Sequence, residues 1–188
     1  MNLFTVETVP ILETKRLILR PFRPEDAPKI LTYLSDARIS FTMHSIPHPC
    51  TMEWVQAYLR RAQEDVEHGR YHFAIDLKTE RQLVGRINIR VQAEHQHAEI
   101  GYWMGVPHWD AGYTSEAGQR IVRFGFADLG LHRIMGTCFS RNQASARVLQ
   151  KIGMHHEITM RQDWFKDGVF EDSDVYGILR SEWKGEIG

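Results

Sequence analysis

The sequence predicts an α/β fold of the α+β kind, with a mixed, partly parallel central sheet of about seven strands flanked by four helices. Two observations carry this prediction. Stretches with a two-residue apolar period alternate with stretches of helical period, in the order β-α-α-β-β-β-α-β-α-β-β. A strand also stands directly before each of the last two helices, an order that favours parallel strands at the centre of the sheet.

The first half of the chain opens with a strand and a helix. Leu17 and Leu19 alternate with their neighbours in the two-residue period of a strand. Pro24 stands in the first turn of the expected helix, and the apolar residues after it recur at helical spacing. The segment 36–50 is expected to be irregular because its prolines interrupt any helix.

A second helix and a pair of strands follow this irregular segment. Thr51 is expected to cap the helix and Gly69 to end it. Strands are predicted around 71–77 and 83–91, joined by a polar turn at 78–81. The short connection makes these two strands adjacent and antiparallel.

The stretch Glu99–Ala117 is the centre of the predicted fold. Its alternating residues predict a strand that Pro107 ends, because proline has no N–H for the ladder. Gly112 lies in the loop that follows, and Ser115 is the candidate N-cap of a third helix that Gly130 ends. The remaining elements are a strand at 132–139, a helix at 143–152, and two strands at 156–164 and 169–179.

Length and composition indicate an ordinary globular protein of one domain, residues 1–188. A net charge of −1 argues against a general binder of nucleic acid or of anionic membranes. Two cysteines give no disulfide framework, which is typical of the reducing cytoplasm. The first residues lack the basic and apolar regions of a signal peptide, so a cytoplasmic location is expected.

The order of strand, tight loop and helix start between Glu99 and Ala117 is a phosphate-binding arrangement. The first N–H groups of a helix have no partner within the helix, and the helix dipole favours an anion there. The stretch contains neither the dinucleotide pattern Gly-x-Gly-x-x-Gly nor the P-loop pattern. The phosphate ligand is therefore of another class.

The loop resembles the acetyl-CoA loop of the GCN5-related N-acetyltransferases (GNAT), whose pattern is Gln/Arg-x-x-Gly-x-Gly/Ala. On residues 109–114 only Gly112 matches this pattern strictly. The branch of ribosomal-protein N-terminal acetyltransferases of the RimJ/RimL type is more similar. It usually has Tyr-Trp-Gly-Lys-Gly-Tyr-Ala-Thr-Glu-Ala where residues 108–117 have His-Trp-Asp-Ala-Gly-Tyr-Thr-Ser-Glu-Ala.

Two further blocks extend the resemblance over residues 13–183. Residues 142–154 resemble the branch motif Asn-x-x-Ser-x-x-Val-Leu-x-Lys-x-Gly-Phe, and residues 13–21 resemble its first strand. The resemblance implies the acyl-CoA N-acetyltransferase fold. In that fold the central strand and the strand after the third helix splay apart, and the pantetheine arm of acetyl-CoA, the co-substrate, lies in the gap.

The resemblance also implies which residues hold acetyl-CoA. The candidates are Met104, Val106, Trp109, Asp110, Ala111, Gly112, Tyr113, Thr114, Ser115 and Asn142. The backbone N–H of Met104 or a neighbour is expected to bind the oxyanion. Asp110 and Ala111 depart from the Gly and Lys of the branch, and an acid near a pyrophosphate repels it. Asn142 has two interpretations, a pantetheine ligand or the N-cap of the fourth helix.

Two residues are candidates for proton transfer. Ser145 is expected to give a proton to the leaving thiolate; the alternative is a small residue chosen for packing. Glu99 is expected to take the proton of the amine through water; the alternative is a strand acid satisfied by a neighbour. A carboxylate suffices for an α-amine, because at a pKa of about 7.7–8.0 about a tenth of it is neutral at pH 7.

The ten histidines do not predict a metal site. The close pairs at His95 and His97, and at His155 and His156, lack a cysteine or an acid at zinc-site spacing. Trp164, with two phenylalanines near the last turn, is expected either to wall the acceptor pocket or to make a packing or dimer contact. The branch resemblance keeps a homodimer open.

The sequence therefore predicts direct attack of a primary amine on acetyl-CoA, without a covalent enzyme intermediate, because neither cysteine falls in a matched motif. The implied acceptor is a protein N-terminal α-amine such as that of a ribosomal protein. One alternative is a small amine, namely a polyamine, an amino acid or a drug. Another is a catalytically weak acyl-CoA-binding module. An open groove favours the protein substrate and a closed acidic pocket the small amine.

Overall fold

One eight-stranded sheet runs through residues 8–185, the part of the chain that this computed structural model describes. The strands are β1 (Leu12–Glu13), β2 (Leu17–Arg20), β3 (Arg70–Leu77), β4 (Gln82–Gln92), β5 (His97–Met104), β6 (Arg133–Phe139), β7 (His155–Lys166) and β8 (Val169–Leu179). Their order across the sheet is β1-β2-β3-β4-β5-β6-β8-β7. Neighbours are antiparallel except β5 and β6, which are parallel, so the mixed, partly parallel sheet is confirmed.

Five α-helices lie in the described part of the chain. They are α1 (Ala27–Leu34), α2 (Ala37–Ser40), α3 (Met52–Glu64), α4 (Tyr113–Arg123) and α5 (Gln143–Lys151). The sequence predicted seven strands and four helices. The added strand β1 has two residues and the added helix α2 has four, and such short elements carry no measurable periodicity.

The helices cover both faces of the sheet, each over its own apolar core. Helices α4 and α5 pack over a core that includes Phe73, Ile87 and Ile100. Helices α1, α2 and α3 pack over a second core that includes Ile30 and Trp103. Successive residues of β5 therefore point to opposite faces, as a strand requires.

Helix α3 follows the sequence closely. The Thr51 hydroxyl accepts the backbone N–H of Trp54 at 3.2 Å, which is the predicted N-cap. The helix tightens into a 3-10 turn over Asp65–His68, and Gly69 ends it at φ 70°. A positive φ favours glycine, which lacks the Cβ that would clash there.

Helix α4 begins three residues before the predicted start. Gly112, at φ 78°, precedes the first helical residue, Tyr113, and Ser115 lies inside the first turn. The prediction of Ser115 as the N-cap is therefore wrong. The chain turns into the helix through the left-handed conformation of Gly112, which leaves no role for a side-chain cap.

Candidate active site

The parallel strands β5 and β6 separate at their C-terminal ends. Their pairing extends from His97 with Arg133 to Ile100 with Gly136 and stops there. Beyond this point β6 pairs only with β8, and β5 only with β4. A cavity of about 880 Å³ occupies the gap, and it is lined by Gly101 and Thr137 among others. The geometry matches the splayed strands that the family resemblance implies.

The last residues of β5 direct backbone groups into this gap. Gly105 N–H donates to the Val84 carbonyl at 2.8 Å, so alternate β5 residues bond to β4. By this alternation the N–H groups of Tyr102 and Met104 face the side that β6 has left. The Met104 carbonyl, on the same side, accepts the Trp109 indole N–H at 2.8 Å. Trp109 thus fixes the candidate cofactor loop to the end of β5.

The cofactor loop ends on the N-terminus of α4. The first N–H groups of this helix lack intrahelical partners, and the eleven-residue helix adds its dipole. Tyr113, Thr114 and Ser115 line the cavity here, together with Asp110 and Gly112. Asp110 is exposed and adopts φ 58°, a conformation that favours glycine. The site offers a grip for a pyrophosphate, with one carboxylate at its edge.

Two of the predicted cofactor residues, Val106 and Ala111, are not among the residues that line this cavity. Val106 packs against the core under α1 to α3. The Ala111 carbonyl accepts a hydrogen bond from Arg16 Nη1 at 2.9 Å, so it faces the segment between β1 and β2. Both residues belong to the sequence motif, but their side chains do not line the cavity.

Arg16 holds the loop from the other side, and sequence reasoning did not assign it a role. Its Nε donates to Glu116 at 2.6 Å, and its guanidinium lies 4.5 Å from the centre of the Tyr113 ring. Glu116 also accepts the Arg16 backbone N–H and the Thr14 hydroxyl. The carboxylate therefore ties α4 to the segment before β2. The motif block at residues 13–21 was the signal in the sequence that could have indicated a role for Arg16.

Ser145 lies across the gap from β5, in the first turn of α5. The Tyr102 hydroxyl is 2.8 Å from Ser145 Oγ and 3.2 Å from the Ser145 carbonyl. Burial raises the pKa of Tyr102, and the bond to Ser145 only partly opposes this rise, so the phenol stays neutral. Sequence reasoning missed Tyr102, because its position in the alternating strand gives no sign of a partner on α5.

Asn142 is the N-cap of α5. Its Oδ1 accepts the backbone N–H of Ser145 at 3.1 Å. Of the two interpretations of this residue, the side-chain oxygen follows the N-cap. The residue also lines the cavity, where its amide nitrogen remains a candidate pantetheine donor.

Cys138 lines the same gap on β6. Burial, together with the charge of Asp174, raises the pKa of this thiol to about 11. A thiol with this pKa is protonated at neutral pH and is a poor nucleophile. The environment of Cys138 is thus consistent with direct attack rather than an acyl-cysteine route.

Glu99 reaches the cavity from the face opposite Ser145. Its carboxylate pairs with Arg90 at 2.7 Å, on the neighbouring strand β4. The pairing is the one that the alternative interpretation expected, a strand acid satisfied by a neighbour. Glu99 nevertheless remains about one third exposed and lines the cavity, so water can reach it.

Aromatic side chains wall the far end of the cavity. The His44 ring stacks on Trp164 at 3.9 Å and meets Phe139 edge-on at 4.3 Å. Burial lowers the pKa of His44 to about 4, so the ring is neutral. The predicted aromatic cluster divides: Trp164 lines the cavity, whereas Phe165 and Phe170 contact each other and are not among its lining residues.

Other classes of site were sought among residues 8–185. Within these residues no three His, Cys, Asp or Glu side chains come together as a metal site would require. Over the same range, none of the helices is both long and apolar enough to cross a bilayer.

Comparison with known proteins agrees with this geometry. The acetyltransferase (GNAT) domain family matches residues 16–155. The uncharacterized N-acetyltransferase YoaA of Bacillus subtilis is 34% identical over 91% of this chain and 97% of its own. The crystal structure of a GNAT-family acetyltransferase from Bacillus anthracis superposes with a TM-score of 0.82 at 27% identity, covering 92% of this chain and 99% of that one.

A more distant structure shares the fold. RimL, a ribosomal-protein α-N-acetyltransferase solved in complex with coenzyme A, superposes with a TM-score of 0.83 at 18% identity, over 90% of this chain and 98% of that one. The family match covers most of the chain, and the related N-acetyltransferases cover nearly all of it. The protein therefore belongs to the GNAT family of N-acetyltransferases.

Proposed function

We propose that this protein transfers the acetyl group of acetyl-CoA to the N-terminal α-amine of a protein, by direct attack. The observation that carries the proposal is the gap between β5 and β6. There the Met104 N–H, on β5, and the Ser145 hydroxyl, in the first turn of α5, approach the same cavity from opposite sides. The residues fit acetyl-CoA, because a phosphate grip at α4 is continuous with this gap.

Bound acetyl-CoA supplies an activated acetyl thioester. The Met104 N–H donates to the carbonyl oxygen as negative charge develops there. The amine nitrogen forms the new N–C bond and the C–S bond breaks. Ser145, oriented by Tyr102, gives its proton to the leaving sulfur and regains one from solvent.

The amine itself must lose a proton during the reaction. Glu99 accepts this proton through water on the acceptor face of β5. The ion pair with Arg90 holds the carboxylate in place. Glu99 is therefore suited to an α-amine, which needs only a weak base.

The acceptor side of the cavity carries charges of both signs. It is lined by the cations Arg70, Arg86 and Arg90 and by the acids Asp65, Glu99 and Asp163. It is therefore not the acidic pocket that would favour a polyamine. The fold relationship to RimL, a ribosomal-protein α-N-acetyltransferase, supports a protein N-terminus as the acceptor.

The test mixes the protein with acetyl-CoA and matched peptides, and locates the acetyl group by mass spectrometry. One peptide has a free N-terminus and no lysine, and its partner has a formylated N-terminus and one lysine. We expect acetylation of the free α-amine alone. Acetylation of small amines but of neither peptide would favour the small-amine alternative, and acetyl-CoA binding without any product would favour the binding module.

A further inference from the structure

The acceptor face of the sheet carries a group of charged and polar side chains from three adjacent strands. Cross-strand partners place these residues on one face: Arg70 lies opposite Arg90, His72 opposite Asn88, and Arg90 opposite Glu99. All of them line the cavity, as does Arg86, two residues before Asn88.

Arg86 is the cation of this group that has no carboxylate. Arg70 pairs with Asp65 at 3.3 Å and Arg90 pairs with Glu99 at 2.7 Å. No carboxylate of residues 8–185 lies within 4.0 Å of the Arg86 guanidinium, and the buried Nε has no hydrogen-bond partner there. A partly buried cation without a counter-ion is costly, because desolvation penalises the charge.

His72 does not supply the missing charge. Its Nδ1 lies 3.1 Å from Arg86 Nη2, and its Nε2 lies 2.9 Å from Asp65. Because arginine can only donate, Nδ1 is the acceptor and Nε2 carries the proton toward Asp65. Burial and the neighbouring Arg86 lower the pKa of His72 to about 4, so the ring is neutral at pH 7. Arg86 therefore keeps its net charge.

The neighbours of Arg86 leave room for a ligand. Asn88 is buried beside it, and its Oδ1 would lie 3.0 Å from a Cβ at Gly101, the residue opposite on β5. A side chain at Gly101 would crowd the Asn88 amide, and both residues line the cavity. Arg86 is on β4, and β5 lies between it and the gap. With strands about 4.8 Å apart and a rise of about 3.4 Å per residue, Arg86 lies about 10 Å from the gap. The second residue of a peptide whose amine is in the gap can span this distance.

We propose that Arg86 binds a carboxylate of the acceptor, so that the enzyme selects protein N-termini with an acidic side chain at the second residue. This inference rests on the proposed function and deepens it. Arginine binds a carboxylate through two parallel hydrogen bonds. An amide lacks the negative charge of the carboxylate. The carboxylate replaces the counter-ion that the protein itself does not provide.

The test measures kcat/KM for peptides that differ only by Asp or Asn at the second residue. The proteins are wild type, Arg86→Met and Arg60→Met, the last an exposed arginine on α3. Wild type and Arg60→Met are expected to prefer the acidic peptide by tenfold or more, and Arg86→Met by less than twofold. Equal rates for the two peptides in wild type, or an unchanged preference in Arg86→Met, would overturn the proposal.

Two further arms separate this inference from the proposed function. One outcome is that free aspartate reacts faster than any peptide and loses this rate in Arg86→Met. That result would keep the carboxylate site at Arg86 but show that its ligand is an amino acid. If no amine reacts, the proposed acceptor fails. The carboxylate site is then decided by calorimetric binding of N-acetylated acidic peptide to the CoA-loaded protein, which Arg86→Met must abolish and Arg60→Met must retain. Arg86→Gln replaces Arg86→Met if that variant does not fold.

Discussion

The hydroxyls of Tyr102 and Ser145 lie 2.8 Å apart, which joins the central strand β5 to the first turn of α5 across the gap. One of the two residues was predicted from a motif, and its partner was not. The contact fixes the position of the Ser145 hydroxyl relative to the opening where β5 and β6 separate. The orientation of the proposed acid therefore depends on the end of the central strand.

Tyr102→Phe removes this orienting bond and keeps the ring. We expect kcat to fall by about tenfold, because the cost of one lost hydrogen bond is about 0.5–1.5 kcal/mol. The KM for acetyl-CoA should hardly change, since the phosphate grip lies at α4. Steady-state kinetics of the single variants and of the double variant with Ser145→Ala check this. Fully additive losses would show that the two residues act independently.

Arg16→Met releases both the Ala111 carbonyl and Glu116. The loop before α4 should then lose its fixed position, and we expect the Kd for acetyl-CoA to rise by about tenfold, equal to about 1.4 kcal/mol. Calorimetric titration measures the change, with Arg60→Met on the surface of α3 as the matched control. An unchanged Kd in Arg16→Met would mean that the loop does not need this arginine.

Asp110→Gly should improve acetyl-CoA binding. The aspartate adopts φ 58° and adds a negative charge at the candidate pyrophosphate site. Glycine removes the charge and adopts a positive φ without strain. We therefore expect the Kd for acetyl-CoA to fall by severalfold. Asp110→Asn separates the two effects, because it removes only the charge. Weaker binding by both variants would show that Asp110 contributes to the grip.

Glu116 makes stability depend on pH in the acid range. Burial opposes its ionisation, but hydrogen bonds from Thr14 and Arg16 outweigh burial and hold its pKa below the ordinary value. A carboxylate with a lowered folded-state pKa contributes stability that is present above the unfolded pKa, about 4.3, and is lost as pH falls through the folded pKa. Glu116→Gln should therefore flatten the loss of stability below about pH 4.3, measured by urea unfolding. An unchanged acid limb would contradict this account.

Arg20 anchors the first helix to the sheet. It binds Asp26 at 2.8 Å and Asp76 at 2.6 Å, and all three residues are buried. Arg20→Met leaves two buried carboxylates without a counter-ion, so we expect a loss of about 3–5 kcal/mol in the free energy of unfolding. Urea denaturation measures it. A loss below about 1 kcal/mol, as for an exposed arginine such as Arg60, would show that the network is not essential.

The sequence predicted what local chemistry determines. Thr51 and Asn142 are caps that a short motif specifies, and both form. It could not predict contacts between distant segments, such as Arg16 with Glu116 or Tyr102 with Ser145, because only the fold brings them together. Ser115 failed as a cap for a different, local reason: the backbone of Gly112, not a side chain, starts α4.

The most direct measurement of the central claim is the turnover of Ser145→Ala beside its binding of acetyl-CoA. Ser181→Ala, an exposed serine near the end of the described chain, is the matched control. The account predicts that Ser145→Ala lowers kcat for an N-terminal peptide by well over tenfold, while the Kd for acetyl-CoA changes by less than twofold. Wild-type kcat in Ser145→Ala would contradict the assignment of Ser145 as the acid for the leaving thiolate.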